Sequence, residues 1–137
     1  MQYRKLGNTD LMLSAVTLGC MTFTGDGNWG YQDERDSIDT VRAALDAGIT
    51  SFDTAEMYAD GYTEEVLGKA LGEDRKNVLI FSKLRPEHMS AKDIAPALEG
   101  SLSRLGTDYV DLYQIHWPSL TVPVGILPIT LTYSSLT

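Results

Sequence analysis

The sequence predicts an α/β protein whose strands form a parallel sheet, and three observations support this class. Short apolar segments alternate with amphipathic helical patterns at intervals of about thirty residues, which is the order of βαβ units. The segment Val78–Phe81 is apolar at every position, as in a strand that is covered on both faces. Glycines follow two of the helical patterns where a left-handed C-cap is expected. A parallel sheet covered by helices accounts for all three.

The first half of the chain begins with two short runs separated by turn residues, which predict a β-hairpin over residues 3–14. An apolar run closed by glycine predicts a buried strand over residues 15–19. Apolar side chains at helical spacing predict a helix over residues 33–47, with Gly48 behind it. A second strand is predicted over residues 49–53.

The second half continues this alternation. Thr63, followed by two acidic residues, is predicted to cap the next helix, and a strand is predicted over residues 77–82. Pro96 would cost about 3 kcal/mol inside a helix. We therefore expect Asp93 as the next N-cap, which places the proline in the first turn. The fourth strand is predicted over residues 109–116.

The composition excludes several classes of partner. The chain carries 19 acidic and 11 basic residues, so its formal net charge is −8. Binding to nucleic acid or anionic lipid depends on clustered Lys and Arg, so we expect neither nucleic acid nor membrane as a partner. The single cysteine, Cys20, cannot form an intramolecular disulfide, and a reducing cytoplasm is the expected compartment. His88 has no companion at metal-ligand spacing, so we expect a surface role for it and no metal.

A glycine pattern, G-x-G-x-x-G at residues 25–30, lies between a predicted strand and a predicted helix and is followed by Asp53. This is the pattern of a dinucleotide-binding turn. However, about five residues separate the strand from the first glycine, whereas that turn should begin at the strand end. Acidic residues also surround the expected helix N-terminus, where pyrophosphate would bind. We therefore favour a flexible glycine-rich loop that presents Trp29.

Polar side chains end three successive predicted strands. Asp53, Lys83 and His116 occupy these positions, and Tyr58 follows in the loop after the second strand. The carboxyl ends of parallel strands share one rim of a sheet or barrel. We therefore expect these four side chains to converge, although each alone could be an ordinary polar residue at a strand end.

Several segments together resemble the aldo-keto reductase family over residues 1 to about 118. They are Tyr3–Gly7, Leu18–Phe23, Phe52–Tyr58, Ser101–Leu105 and Asp108–Tyr113 with His116. The resemblance implies the N-terminal half of a (β/α)8 TIM barrel preceded by a short β-hairpin. It also implies a nicotinamide cofactor, usually NADPH, with NADH as the alternative.

The family's catalytic residues fall on Asp53, Tyr58, Lys83 and His116. Carbonyl reduction needs a proton for the developing alkoxide, and Tyr58 is the expected donor. A nearby Lys83 ammonium would lower the pKa of the phenol, and Asp53 would hold that lysine charged and oriented. His116 would hydrogen-bond the oxygen of the carbonyl substrate.

Further site residues follow from the same resemblance. It places Met21 and Thr22 beside the nicotinamide ribose, and Asp53 is counted with them as a cofactor-binding residue. Trp29 and Trp117 are candidates for the walls of the substrate pocket, with simple packing as the alternative. The expected function is that of an NAD(P)H-dependent oxidoreductase, which reduces aldehydes or ketones to alcohols.

Residues 119–137 contain no Asp, Glu, Lys or Arg, and we expect this tail to lie outside the family resemblance. A complete barrel needs about 250 residues, so we expect a truncated chain. The alternative function is a catalytically inactive fragment, which acts only by association with another polypeptide. We expect exposed strand edges that allow self-association, and exposed apolar side chains within Val78–Phe81 and Val110–Tyr113.

Overall fold

The computed structural model describes residues 1–25 and 29–122 of the chain. Within them the elements alternate as expected for the α/β class, and the predicted fold is confirmed. The strands are β1 (Tyr3–Lys5), β2 (Met12–Ser14), β3 (Leu18–Gly19), β4 (Ser51–Asp53), β5 (Leu79–Leu84) and β6 (Leu112–Ile115). The helices are α1 (Glu34–Asp46), α2 (Tyr62–Leu71) and α3 (Ile94–Leu105), with 3-10 turns at Tyr58–Gly61, Gly72–Asn77 and Pro86–His88. The expected tail, residues 119–137, lies outside the described residues from 123 onward.

The strands form two sheets. Strands β1 and β2 pair as an antiparallel hairpin, and the other four strands form a parallel sheet in the order β3-β4-β5-β6. Gly19 lies opposite Asp53, Asp53 opposite Phe81, and Lys83 opposite Gln114. Because every strand of this sheet runs in the same direction, the residues that follow the strands meet at one rim.

The main core lies between the parallel sheet and the helices. Phe52 and Ile80 from the strands pack with Val41 of α1 and with Val66 and Leu67 of α2, and all five side chains are fully buried. Apolar groups of adjacent layers thereby cover each other, which is the arrangement expected of βαβ units.

The expectation of exposed apolar side chains on the inner strands is wrong. Val78 and Ile80 are 5% and 0% exposed because both pack in the core beneath the helices, and Phe81 is also buried. On the edge strand, the side chains of residues 110–113 are half-buried. The sheet and its own helices therefore bury most of this surface.

Two predicted helix starts are confirmed and one is wrong. The side chain of Asp33 caps α1 by accepting a hydrogen bond of 2.8 Å from Arg35 N. Helix α3 begins at Ile94, so Pro96 lies in its first turn, although the carboxylate of Asp93 bonds the Ser90 hydroxyl rather than the helix backbone. Thr63 does not cap α2.

Helix α2 begins one residue before Thr63, behind Gly61 with φ of +92°. A Cβ on Gly61 would clash with the side chain of Arg104, which packs there from α3. The glycine therefore permits both the left-handed turn and the close approach of the arginine. The Thr63 hydroxyl is buried instead, 3.0 Å from the hydroxyl of Thr54.

The predicted strand boundaries are displaced by side-chain hydrogen bonds. The strand predicted over residues 15–19 is reduced to β3, because the hydroxyls of Ser14 and Thr17 bond Ser51 Oγ at 2.9 and 2.8 Å in place of a longer ladder. On the other side of the sheet, Asp111 Oδ2 accepts a hydrogen bond from Ile80 N at 2.8 Å, and β6 begins only after Asp111.

Among the described helices, none is long and apolar enough to cross a membrane.

Candidate active site

An ion pair connects the carboxyl ends of the two central strands. Lys83 Nζ donates to Asp53 Oδ2 at 2.7 Å and to the main-chain oxygen of Thr54 at 2.9 Å. The lysine side chain is only 14% exposed. Because this largely buried ammonium is held by two acceptors, its charge has a defined position at the rim.

Tyr58 brings a phenol to the same ammonium. It is the first residue of the 3-10 turn after β4, and its hydroxyl lies 3.2 Å from Lys83 Nζ. The structure thus joins three of the four predicted catalytic side chains in one chain of contacts, from Asp53 through Lys83 to Tyr58. A cation at this distance stabilises negative charge that develops on the phenol oxygen.

His116 completes the group from the end of the edge strand. Its backbone N donates to the oxygen of Leu84 at 3.0 Å, and its ring meets the Tyr58 ring edge-on, with centroids 5.3 Å apart. Burial and the Lys83 cation lower the pKa of His116 below its ordinary value, so the neutral imidazole is favoured. Nδ1 is buried and has no hydrogen-bond partner within residues 1–25 and 29–122.

The predicted cofactor-binding residues Met21 and Thr22 follow β3, the strand that pairs with the strand of Asp53. Cys20 N donates to the main-chain oxygen of Asp53 at 2.8 Å, and the exposed side chains of Met21 and Thr22 follow directly. A Cβ on Gly19 would meet no atom within 4 Å, so the space next to this strand end is open. The Cys20 thiol itself is buried, and burial together with the charge of Asp53 raises its pKa to about 12.

The two predicted pocket tryptophans differ in their placement. The Trp117 ring lies 4.5 Å from the His116 ring, so the structure brings this side chain to the site. Trp29 is 64% exposed, so most of its side chain faces solvent. Residues 26–28, the centre of the glycine pattern, lie outside the described residues. Helix α1 begins behind Asp33, whose carboxylate already caps the N-terminus that a pyrophosphate would need.

Sequence reasoning missed a second polar cluster at this rim. The carboxylate of Glu56 is 5% exposed and accepts hydrogen bonds from Arg85 N at 2.6 Å and from His88 Nδ1 at 2.9 Å. The His88 side chain is 40% exposed, so it lies at the surface as expected, and its ring also pairs with this carboxylate. The position of Glu56 between Asp53 and Tyr58 in sequence places it near the rim, but it does not reveal the partners Arg85 and His88, which lie far away in sequence. Within the described residues, the structure holds no group of three metal-ligating side chains.

The fold and the site together indicate the class of protein. Parallel β/α units with their polar side chains gathered at the carboxyl ends of the strands are the arrangement of (β/α) barrel proteins, which place their active sites there. The chain belongs to the aldo/keto reductase family, since the model of that family matches residues 15–137. This match includes residues 119–137, the charge-free tail that we expected to lie outside the resemblance.

Relatives support this assignment along most of the chain. The aldo-keto reductase YhdN of Bacillus subtilis is 41% identical over 134 residues, which are 90% of this chain and 40% of that protein. The crystal structure of the thermostable aldo-keto reductase Tm1743 with the inhibitor epalrestat is 40% identical with a TM-score of 0.80, and the match covers 90% of this chain and 45% of that one. An aldo-keto reductase from Klebsiella pneumoniae, crystallised with NADPH, is 39% identical with a TM-score of 0.71, covering 79% and 37% of the two chains. This chain thus spans less than half the length of these relatives.

Proposed function

We propose that this chain provides the catalytic rim of an NAD(P)H-dependent reductase, which reduces aldehydes or ketones to alcohols. The observation that carries the proposal is the contact chain in which Lys83 Nζ lies 2.7 Å from Asp53 and 3.2 Å from the Tyr58 hydroxyl. A proton donor for an alkoxide needs such a cation beside its oxygen, because negative charge appears there when the proton leaves.

The residues beside Asp53 fit a nicotinamide cofactor. Met21 and Thr22 are exposed next to the open space at Gly19, so they and Asp53 would hold the nicotinamide ribose. When bound, the reduced nicotinamide supplies a hydride. We expect NADPH rather than NADH, since the Klebsiella relative was crystallised with NADPH.

The four polar side chains then have distinct roles in the proposed reaction. Tyr58 donates its proton to the substrate oxygen, Lys83 stabilises the charge left on the phenol, and Asp53 holds the lysine in place. His116, kept neutral by burial, hydrogen-bonds the substrate carbonyl and fixes its orientation. Trp117 lies against His116 and forms a wall of the substrate pocket, with exposed Trp29 as the second candidate wall.

The test is Tyr58→Phe, which removes one hydroxyl and leaves the cofactor-binding residues unchanged. Loss of the proton donor should lower kcat for an aldehyde about 10²- to 10⁴-fold at saturating NADPH, while NADPH affinity stays the same. Consumption of NADPH is followed by absorbance, and its binding by fluorescence. Tyr109→Phe is the matched control, because Tyr109 precedes β6 at the other end of the sheet. Turnover of Tyr58→Phe within a few-fold of the parent would contradict the proposed role.

A second candidate function is association with another polypeptide without catalysis. It is favoured by the sheet order, which leaves β3 and β6 each with one unpaired edge among residues 1–25 and 29–122. Self-association along these edges should give a dimer or a larger species in size-exclusion chromatography with light scattering. A monomer that binds and oxidises NADPH would exclude this candidate function.

A cytoplasmic location stays a prediction that rests on the single cysteine.

A further inference from the structure

The backbone directly after Tyr58 is strained. Ala59 and Asp60 have φ values of +48° and +49°, in the left-handed region that residues with a Cβ rarely adopt. Two such residues in succession need contacts that hold them in place. The 3-10 turn that carries Tyr58 therefore depends on interactions made elsewhere.

Those contacts come from the loop after β5. Arg85 donates from its guanidinium to Asp60 Oδ1 at 3.0 Å and to the main-chain oxygen of Glu56 at 3.4 Å. In the opposite direction, Glu56 Oε1 accepts from Arg85 N at 2.6 Å, and its other oxygen lies 2.9 Å from His88 Nδ1. We refer to Glu56, Asp60, Arg85 and His88 as the clasp.

The clasp joins the turn that carries the proposed proton donor, Tyr58, to the loop that follows Lys83 and the end of β5. Glu56 stands two residues before Tyr58 and Asp60 two residues after it, whereas Arg85 stands two residues after Lys83. Both ends of the Tyr58 turn are thus fastened to the end of β5. Further support comes from the main chain, where Glu56 N donates to the oxygen of Lys83 at 3.4 Å.

The buried carboxylate fixes the distance between the loops. Glu56 is nearly inaccessible to water, so its two oxygens must be satisfied by protein donors, and Arg85 N and the His88 ring occupy them. Moving the Tyr58 turn away from β5 would break these bonds inside the protein. A shift of even 1 Å matters, since a donor that is misplaced by this distance can lose about 10²-fold in rate.

We propose that the clasp residues are positioning residues, which hold the Tyr58 hydroxyl within hydrogen-bond distance of Lys83. The catalytic consequence rests on the proposed function, whereas the positioning itself does not. The Arg85 side chain donates hydrogen bonds to Glu56 and Asp60, and it acts on Tyr58 through them.

The first experiment observes Tyr58 directly and needs no enzymatic activity. The full chain is labelled with 3-fluorotyrosine, and the ¹⁹F resonance of Tyr58 is identified as the one that disappears in Tyr58→Phe. In Arg85→Met this resonance should shift and broaden, and Arg85→Lys should restore it in part, because lysine keeps the positive charge but not the planar geometry of the guanidinium. Arg42→Met is the matched control, since Arg42 forms an exposed pair with Asp39 on α1.

A second variant covers the case in which Arg85→Met does not fold. The side chain of Asp60 is 92% exposed, and Asp60→Asn keeps its size and its tolerance of the left-handed conformation while it removes the charge. It should move the Tyr58 resonance in the same direction by a smaller amount. A Tyr58 resonance that is unchanged in both variants, or that changes equally in Arg42→Met, overturns the proposal.

The second experiment measures the catalytic consequence with NADPH and an aldehyde at saturation. Arg85→Met should lower kcat about tenfold and leave KM for NADPH within about twofold, because the cofactor-binding residues are not part of the clasp. A normal kcat together with a displaced Tyr58 resonance would contradict the catalytic part of the proposal. If the parent chain shows no turnover, the proposed function fails, and the ¹⁹F measurement still decides the positioning.

Discussion

Replacing Arg104 by methionine should destabilise the protein more than any exposed charge substitution. Glu64 on α2 is fully buried behind the sheet, where its oxygens accept from Arg104 Nε at 2.8 Å and from Ser82 Oγ at 2.5 Å. Arg104→Met leaves this carboxylate with a hydroxyl as its remaining side-chain partner. A buried charge without its counter-charge is unfavourable, because the protein interior solvates it poorly.

The magnitude follows from the burial of the two partners. Removal of one member of a buried ion pair costs about 3–5 kcal/mol. The side chain of Arg104 is 26% exposed, so water partly reaches the vacated position and the lower end, about 3 kcal/mol, is expected. With an m-value of about 2 kcal/mol/M, the urea midpoint should fall by about 1.5 M. Adding Glu64→Gln removes the stranded charge, and the double variant should recover about 1 kcal/mol or more.

The assay is urea unfolding followed by circular dichroism of the helices. Arg42→Met is the control, since Arg42 pairs with Asp39 at 3.8 Å on the exposed face of α1 and should contribute less than about 1 kcal/mol. The reasoning would be refuted if Arg104→Met were as stable as this control. It would also be refuted if the double variant were less stable than Arg104→Met alone, because the ion pair would then not account for the loss.

Three further predictions concern the rim. The Cys20 thiol is buried and its pKa is raised to about 12. It should not react with a thiol-specific disulfide reagent near pH 8 until urea unfolds the chain. Rapid reaction of the native protein would contradict its burial. Burial and the Lys83 cation hold the pKa of His116 below its ordinary value of 6.5, so the unfolded chain binds an extra proton below that pH. The free energy of unfolding should therefore fall as the pH decreases from about 6.5 to the folded pKa, and His116→Asn should remove this component in urea titrations at several pH values. Lys83→Met should lower kcat and alter the pH–rate profile, since it removes the cation beside Tyr58, and an unaltered profile would indicate a merely structural lysine.

The polar rim could be predicted from sequence because its members are placed by local patterns. Asp53 and Lys83 end buried strands, and strands joined by helices run parallel, so their ends meet without knowledge of any distant contact. The same argument predicts that His116, at the end of the fourth predicted strand, lies at this rim. Their catalytic roles remain predictions, which the experiments above address.

The clasp and the start of α2 could not be predicted, because each depends on a side chain far away in sequence. The buried carboxylate of Glu56 accepts a hydrogen bond from Arg85 N, which lies 29 residues later in the sequence. Thr63 has the sequence features of an N-cap, but the helix begins earlier, since Arg104 packs against Gly61 from another helix. Tertiary contacts of this kind override a local capping preference.

The expectation of exposed apolar strands was wrong because the helices cover one face of the sheet. The contacts that stabilise the fold therefore lie in a different part of the molecule from the side chains proposed for catalysis. Ile80 and Phe52 are buried beneath α1 and α2, so the outer layer stabilises the sheet independently of what lies on its inner face. The ion pair of Glu64 and Arg104 belongs to this outer layer, whereas Tyr58 belongs to the rim. Substitutions in the outer layer should therefore change the urea midpoint through the loss of packing and pairing. Rim substitutions such as Tyr58→Phe should leave the free energy of unfolding within about 0.5 kcal/mol of the parent and act on turnover, because the half-exposed rim contributes little to the buried core.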